Sequence, residues 1–532
     1  MSEVLRSWSG AKPNRRGARR RRPVVRNTIL FMVFFSLGWA WWNSRDTHDI
    51  GDLLPDEPAF QIHVEDVLEK RFVIARSEFW DFLPKDHPGQ AIPKALAQEL
   101  DMPDWVQKNL FPGYCHISGD SMDDFEAALF VSKMTRTGVL LERFRGYIDG
   151  VEEDYAGGLK IRYVPGASVY YAIRGRVLLI SASRQTLIQS LTLHPQDAMG
   201  QDSLDTLVAN VKNEALYVVL NEPVAPVSSS FAKAELKIWL EPQFERLRVQ
   251  GEIGPVWREK IEAFMPHVKP VELLVMGQGM VELSLNLGVS LSESISIVEA
   301  LLEQPLDINT LLGDLPYFQS ENNEAVPALL NTLLSATGPG IRLSWLGVEP
   351  HAIIPMPELL LQADLAQDGL SALLPLLPAP DAYPPDVSIP RYNPESGIAY
   401  LPLIGGPAIE PSLYVAHRQL NLSNSRTVLE RNKANPTQIE KWSEPCNLYL
   451  RVMPAEVLEA IHTLGIELAA FGVLRDHTEE SFTQRVEEWQ ALFADVKTSY
   501  LTASHDDGEL TLDFRIELNN RPIESAPAET SQ

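Results

Sequence analysis

Tyr170-Tyr171-Ala172-Ile173-Arg174 leads through Gly175 and Arg176 into Val177-Leu178-Leu179-Ile180-Ser181-Ala182-Ser183-Arg184 and Leu187. Two short apolar runs separated by a glycine turn, with serine before Thr186-Leu187-Ile188, read as strand, turn, strand and a capped helix. The pattern returns at Tyr414-Val415-Ala416-His417-Arg418, then Leu420-Asn421-Leu422-Ser423-Asn424-Ser425-Arg426 and Leu429. Ala172 and Arg174 match Ala416 and Arg418 at a shift of 244, and Ser181, Ser183, Arg184 and Leu187 match Ser423, Ser425, Arg426 and Leu429 at 242.

The correspondence extends both ways. Leu216-Tyr217-Val218 matches Leu448-Tyr449-Leu450, Val268-Lys269 matches Val496-Lys497, and Gly138-Val139-Leu140 matches Gly369-Leu370-Ser371. Each copy is then expected to end in a hairpin: Val281, Leu283, Leu285 and Leu287 alternate after Gly279, as Leu510, Leu512, Phe514 and Ile516 do after Gly508. Segments in the same order at similar shifts point to duplication of a unit of roughly 230 residues, the size of a whole domain.

The unit reads as α+β, a mostly antiparallel sheet with helices packed on it. Leu159 to Val164, Val169 to Arg174 and Arg176 to Ala182 are strands with one apolar face. Helices are expected at Val256 to Phe264 and at Ser481 to Phe493, where Phe482, Val486, Trp489 and Phe493 share one side. His505-Asp506-Asp507-Gly508 is a hairpin turn, because Asp-Gly supplies positive φ.

Composition divides the chain further. Nine Lys and Arg with one acid occupy residues 1–26, ahead of the apolar run Thr28 to Trp42. That charge bias predicts a basic cytoplasmic tail (1–26), a retained transmembrane signal anchor (27–43) and a bulk exported to the periplasm of a bacterial envelope. Arg26 would snorkel, and Trp39, Trp41 and Trp42 would sit at the far interface of the inner membrane. Cleavage after Ala40 is the rival reading, opposed by the crowding tryptophans. Residues 44–58 read as a linker, 59–295 and 296–518 as exported copies 1 and 2, and 519–532 as a disordered tail. Proline-rich Pro375 to Pro394 must be an ordered loop or rigid connector.

Beyond Arg26 the balance is 37 basic against 70 acidic residues. Such a surface repels nucleic acid, so nucleic-acid partners are not expected. Cys115 and Cys446, the two cysteines of the chain, are candidates for one disulfide, with two unpaired buried thiols as the equal alternative.

Chemistry is sparse. Gly119-Asp120-Ser121 resembles the nucleophile block of the GDSL/SGNH esterases, but that family also needs an Asp-x-x-His pair, which occurs nowhere here. Ser121 is better read as the cap of a helix at Met122-Asp123-Asp124. No zincin helix, nucleophile elbow or phosphate loop is present. His63 with Glu65 and Asp66 reads as a solvated strand edge, Asp149 to Asp154 as a solvated loop, and the recurring Arg174 and Arg418 as structural. No catalytic residue, cofactor or metal ligand is assigned.

Three functions stay open: a non-catalytic envelope scaffold that binds a protein partner; a carrier or sensor of a lipid or other apolar ligand, with Leu359-Leu360-Leu361 and Leu370 to Leu377 as lining; and a hydrolase whose residues meet only in the fold.

Overall fold

The computed structural model describes residues 18–519 apart from 83–102, 122–126, 146–150, 157, 167, 211–215, 222–230, 242, 255–257, 259–268, 287, 291–292, 294–335, 350–354, 367–369, 385–386, 404, 437–438 and 471–478. It is a mixed α+β protein dominated by antiparallel sheet with several helices. The chain divides into two compact units, the first comprising Met1–Pro58, His63–Glu69 and Glu99–Asn210, the second Ala59–Ile62, Lys70–Gln98 and Val211–Gln532.

The first unit holds helix α1 (Ala18–Asn43), the end of β1 (Phe60–Val64), the start of α2 (Val67–Ala75), α3 (Asp104–Leu110), β2 (Cys115–Gly119) and β3 (Leu129–Lys133). After α4 (Arg136–Arg145) come β4 (Glu152–Ala156), β5 (Leu159–Val164), β6 (Val169–Arg174), β7 (Val177–Ser181), α5 (Arg184–Leu191) and α6 (Gln201–Asn210). Its sheet runs β2-β3-β7-β6-β5-β4, every pair antiparallel. β1 also pairs with β2.

Both faces of this sheet are covered, which is why β7 is apolar nearly throughout. Leu129, Val131, Ala172, Val177 and Leu179 pack with Leu187 and Leu191 of α5 and Leu204 of α6. Leu178 on the opposite face packs with Leu110 of α3 and Val139 of α4. The segment read as a linker is part of this core: Ile50, Leu53 and Leu54 are buried in the first cluster. Backbone bonds from Met199 N to Leu54 O and from Gly200 N to Gly51 O hold it there. A Cβ at Gly51 would come within 2.4 Å of the Gly200 backbone, so only glycine fits.

No helix among the described residues is long and apolar enough to cross a membrane. This overturns the expected transmembrane signal anchor, and with it the single-pass placement in a bacterial inner membrane with the bulk in the periplasm. The physical reason is length. The apolar residues of α1 run only from Thr28 to Trp42, about 22 Å at 1.5 Å per residue against roughly 30 Å of hydrocarbon. The remaining turns carry Arg19 to Arg22 and Arg26.

The second unit adds β8 (Leu216–Leu220), β9 (Phe231–Glu241), β10 (Phe244–Ile253), β11 (Leu274–Val275), β12 (Val281–Asn286), β13 (Thr337–Glu349) and β14 (Met356–Leu365). A short α7 (Leu370–Leu373) precedes β15 (Arg391–Asn393), β16 (Ile398–Tyr400), β17 (Ser412–Ala416), β18 (Gln419–Ser423) and α8 (Arg426–Ala434). Then follow β19 (Glu440–Lys441), β20 (Leu448–Val452), α9 (Pro454–Ala470), α10 (Glu479–Leu492), β21 (Val496–Asp506) and β22 (Glu509–Leu518). The large sheet runs β8-β9-β10-β22-β21-β20-β12-β13-β14-β18-β17-β16-β15, again antiparallel throughout. β1 pairs with β8 at its end, and β11 pairs with β19 in a separate ribbon.

Local signals read from the sequence are visible. Ser183 accepts from Thr186 N at the start of α5, and Ser425 accepts from Val428 N at the start of α8. Asp507 and Gly508 take positive φ in the β21–β22 turn. Val281–Asn286, expected in a hairpin, is instead an interior strand between β13 and β20; long hairpins are formed by β9–β10 and by β13–β14. Alternation alone does not distinguish a hairpin strand from an interior one. The helix expected at Val256 to Phe264 lies outside the described residues except for Arg258, and the tail beyond Asn519 lies wholly outside them.

Candidate functional site

The first buried polar cluster is a pair of histidines. β1 and β2 place His63 and His116 side by side, each 1% exposed, with ring centroids 4.7 Å apart at 73°. Their Nδ1 atoms share a hydrogen bond, so one ring donates and the other accepts. Burial pushes His63 down to about 3, helped by its neighbour, and burial pushes His116 down to about 4. Both rings are neutral near pH 7, hold each other, and are too buried to exchange protons with a substrate. His63 is therefore not on a solvated edge, as its acidic neighbours suggested.

The second cluster surrounds Glu282 of β12, which is fully buried. Its carboxylate accepts from Met276 N and from Gly277 N, the latter at 3.0 Å. Arg451 of β20 lies 4.0 Å away and donates to Gly279 O at 2.9 Å. Burial raises the Glu282 pKa, and the backbone donors and the arginines oppose that rise. Gly279, at φ 104°, admits no Cβ, because one would meet Trp345 O at 2.8 Å. The carboxylate thus fixes the turn 276–279 against the sheet, a structural task.

A third cluster joins β10 to β22. Asp513, 3% exposed, accepts from Arg246 Nε at 2.9 Å and from Arg515 Nη2 at 3.0 Å. Arg515 also reaches Glu444 at 2.7 Å. Trp239 and Trp442 lie under the two guanidinium groups. Every formal charge here has an opposite neighbour.

The other sequence candidates scatter. Ser121 follows β2, and the helix it was read to cap at Met122 lies outside the described residues. His116, the histidine nearest to it in sequence, is committed to His63. Cys115 and Cys446 are both free and buried in the structure. Burial raises them to about 12 and about 11, respectively. Glu152 to Asp154 form edge strand β4 rather than a loop, with Glu153 bound to Lys160 and Asp154 to Arg184. Arg174 donates to Leu191 O, and His417 and Arg418 occupy a positive-φ turn. Trp41 and Trp42 are exposed, and Arg45 lies over both rings.

Leu360 is core, whereas Leu373 and Leu376 are exposed. Among the described residues no group of three or more His, Cys, Asp or Glu could hold a metal ion. The histidine pair escaped the sequence reading because its members are 53 positions apart.

No protein-family model matches this chain. No curated protein matches it in sequence. Among solved structures, crystal form III of TP0453 aligns at a TM-score of 0.22 with 9% identity, covering 43% of this chain and 91% of that one. Crystal form I of the same protein aligns at 0.23 with 8% identity, covering 42% and 88%.

Proposed function

We propose that the chain is a non-catalytic binding protein built from two copies of one α+β unit, whose partner is another protein. The duplication rests on pairing order. The order β2-β3-β7-β6-β5-β4 in the first unit repeats as β13-β14-β18-β17-β16-β15 in the second, and β8-β9-β10, which also lie in the second unit, repeat as β20-β21-β22. β1 pairs with β2 and β8 as β12 pairs with β13 and β20. Details support the same equivalence. Asn221 N donates to Ala59 O as Met453 N does to Met280 O. Ser183 N donates to Ser181 Oγ at 3.0 Å as Ser425 N does to Ser423 Oγ at 3.1 Å.

The junction is self-complementary, as an isologous contact must be. β10 and β22 pair from Phe244↔Glu517 to Glu252↔Glu509, with Arg248↔Asp513 at the centre. Aligning the hairpins turn to turn sets Phe244 against Glu509 and Arg248 against Asp513, so each strand meets its own counterpart.

The observation that carries the non-catalytic reading is that the His63, Glu282 and Asp513 clusters, among the described residues, are each internally paired. A nucleophile or general base has to present an unspent proton or lone pair to substrate. The test is native mass spectrometry of the purified full chain together with turnover assays on ester, phosphoester and peptide substrates. An empty, inactive protein that forms a stoichiometric complex with one protein is the expected result; a bound small molecule or saturable hydrolysis overturns it.

A further inference from the structure

We infer, building on the partner-binding reading, that the loop Leu373–Pro384 docks into an apolar groove rimmed by Lys and Arg on a protein partner. Leu376 is 78% exposed, Leu373 49% and Tyr383 43%. Leu376 is the most exposed of the large apolar side chains among the described residues. An exposed apolar group in a floppy loop would be unremarkable, but this loop is fixed. Leu370, just before it, and Leu374, within it, are buried. Arg391, 4% exposed, donates to Pro380 O at 2.7 Å, to Val387 O at 3.1 Å and to Pro384 O. Bonds from Leu377 N to Leu374 O and from Ala382 N to Ala379 O set its turns. Prolines 375, 378, 380 and 384 restrict the chain further. The apolar tip is therefore presented at little entropic cost on binding.

The mode of binding follows from the same geometry. Tyr392 N, the outward amide of end strand β15, is already taken by Pro378 O at 2.9 Å. Strand addition at that amide is blocked. What remains accessible is side chain, which calls for a groove.

Charge selects the occupant. From Ala366 to Pro390 the sequence has Asp368, Asp381 and Asp386 and no Lys, Arg or His, in a chain of net charge −25. Anionic lipid and a second copy of this chain are both repelled, whereas a groove flanked by cations is attracted.

The experiment places a photoreactive benzoylphenylalanine at position 376, or at position 430 on α8 as a surface control, in the full chain in its own cells. The captured protein is identified, purified and titrated against the unmodified chain and its variants. Crosslinking at 376 is expected, on a peptide with Lys or Arg beside apolar residues. Leu376→Ser should weaken the purified complex at least tenfold. Asp381→Lys should weaken it several-fold and flatten its salt dependence, and Glu430→Ala should leave it unchanged. An affinity indifferent to Leu376→Ser, self-crosslinking alone, or Leu376-dependent flotation with phosphatidylglycerol vesicles overturns the inference. Capture at 430 but not at 376 overturns it while sparing the partner-binding reading; capture at neither position defeats both.

Discussion

Arg246 and Arg515 stand directly opposite each other across β10 and β22, and the carboxylate of Asp513 lies between them. Like charges facing across a ladder repel. Asp513 turns that repulsion into a charge-assisted network across β10 and β22.

Asp513→Asn removes the neutralising charge and is expected to cost about 2–3 kcal/mol in urea unfolding. Burial would raise the Asp513 pKa, but hydrogen bonds from Arg246 and Arg515 overcome it and leave the carboxyl below its usual range. Its stabilisation is therefore complete above the unfolded pKa of about 3.9 and is lost as pH falls through the lower folded value. The gap between wild type and variant should close below pH ~4. A gap unchanged down to pH 2 would sink this account.

The buried histidines act over a different window. Their folded pKa values, about 3 for His63 and about 4 for His116, lie under the unfolded value of about 6.5. Below about 6.5 the unfolded chain takes up protons that the folded chain rejects. Stability should fall from there towards pH 4, by at most about 3 kcal/mol per pH unit for the two groups. The double variant His63→Leu/His116→Leu should lose that slope, as read by denaturant titrations at pH 7, 6 and 5.

Both thiols should resist reagent in the native protein, because burial removes the thiolate that reacts. Ellman titration is expected to find two thiols once guanidinium is added and almost none before it. Finding none in guanidinium without reductant would mean that Cys115 and Cys446 are bonded after all.

Gly465 lets α9 approach α10. A Cβ there would come within 2.0 Å of the Phe482 ring. Gly465→Val is expected to cost about 1–3 kcal/mol by overpacking. Shortening the ring in Phe482→Leu should recover part of that loss, a coupling that a double-mutant cycle measures.

Equivalent caps should have equivalent worth. Ser183 and Ser425 accept from Thr186 N at 3.3 Å and from Val428 N at 3.4 Å. Ser183→Ala and Ser425→Ala should each cost about 1 kcal/mol. A loss confined to one of them would weaken the case for duplication.

Features encoded within a few residues were legible. Ser183 and Ser425 were read as caps because the hydroxyl and the amide it satisfies are three residues apart. The β21–β22 turn was read from Asp-Gly because positive φ is a property of those two residues. The proposed equivalence of β1 and β12 was not legible. Phe60-Gln61-Ile62-His63-Val64 and Val281-Glu282-Leu283-Ser284-Leu285 share no identical residue. The expected membrane anchor failed on length: the apolar run Thr28 to Trp42 is legible in the sequence and is shorter than a span requires.

Ser-x-Ser-Arg, the glycine turns and the apolar alternation determined strands, turns and caps by themselves, since each depends on neighbours along the chain. Tertiary structure alone decided which strands pair, that His63 meets His116, and that Arg246 meets Asp513 from 267 positions away. A strand's sequence specifies which face is apolar, and many strands share that specification. Pairing is chosen by the summed fit of side chains and charges that come together only in the folded chain.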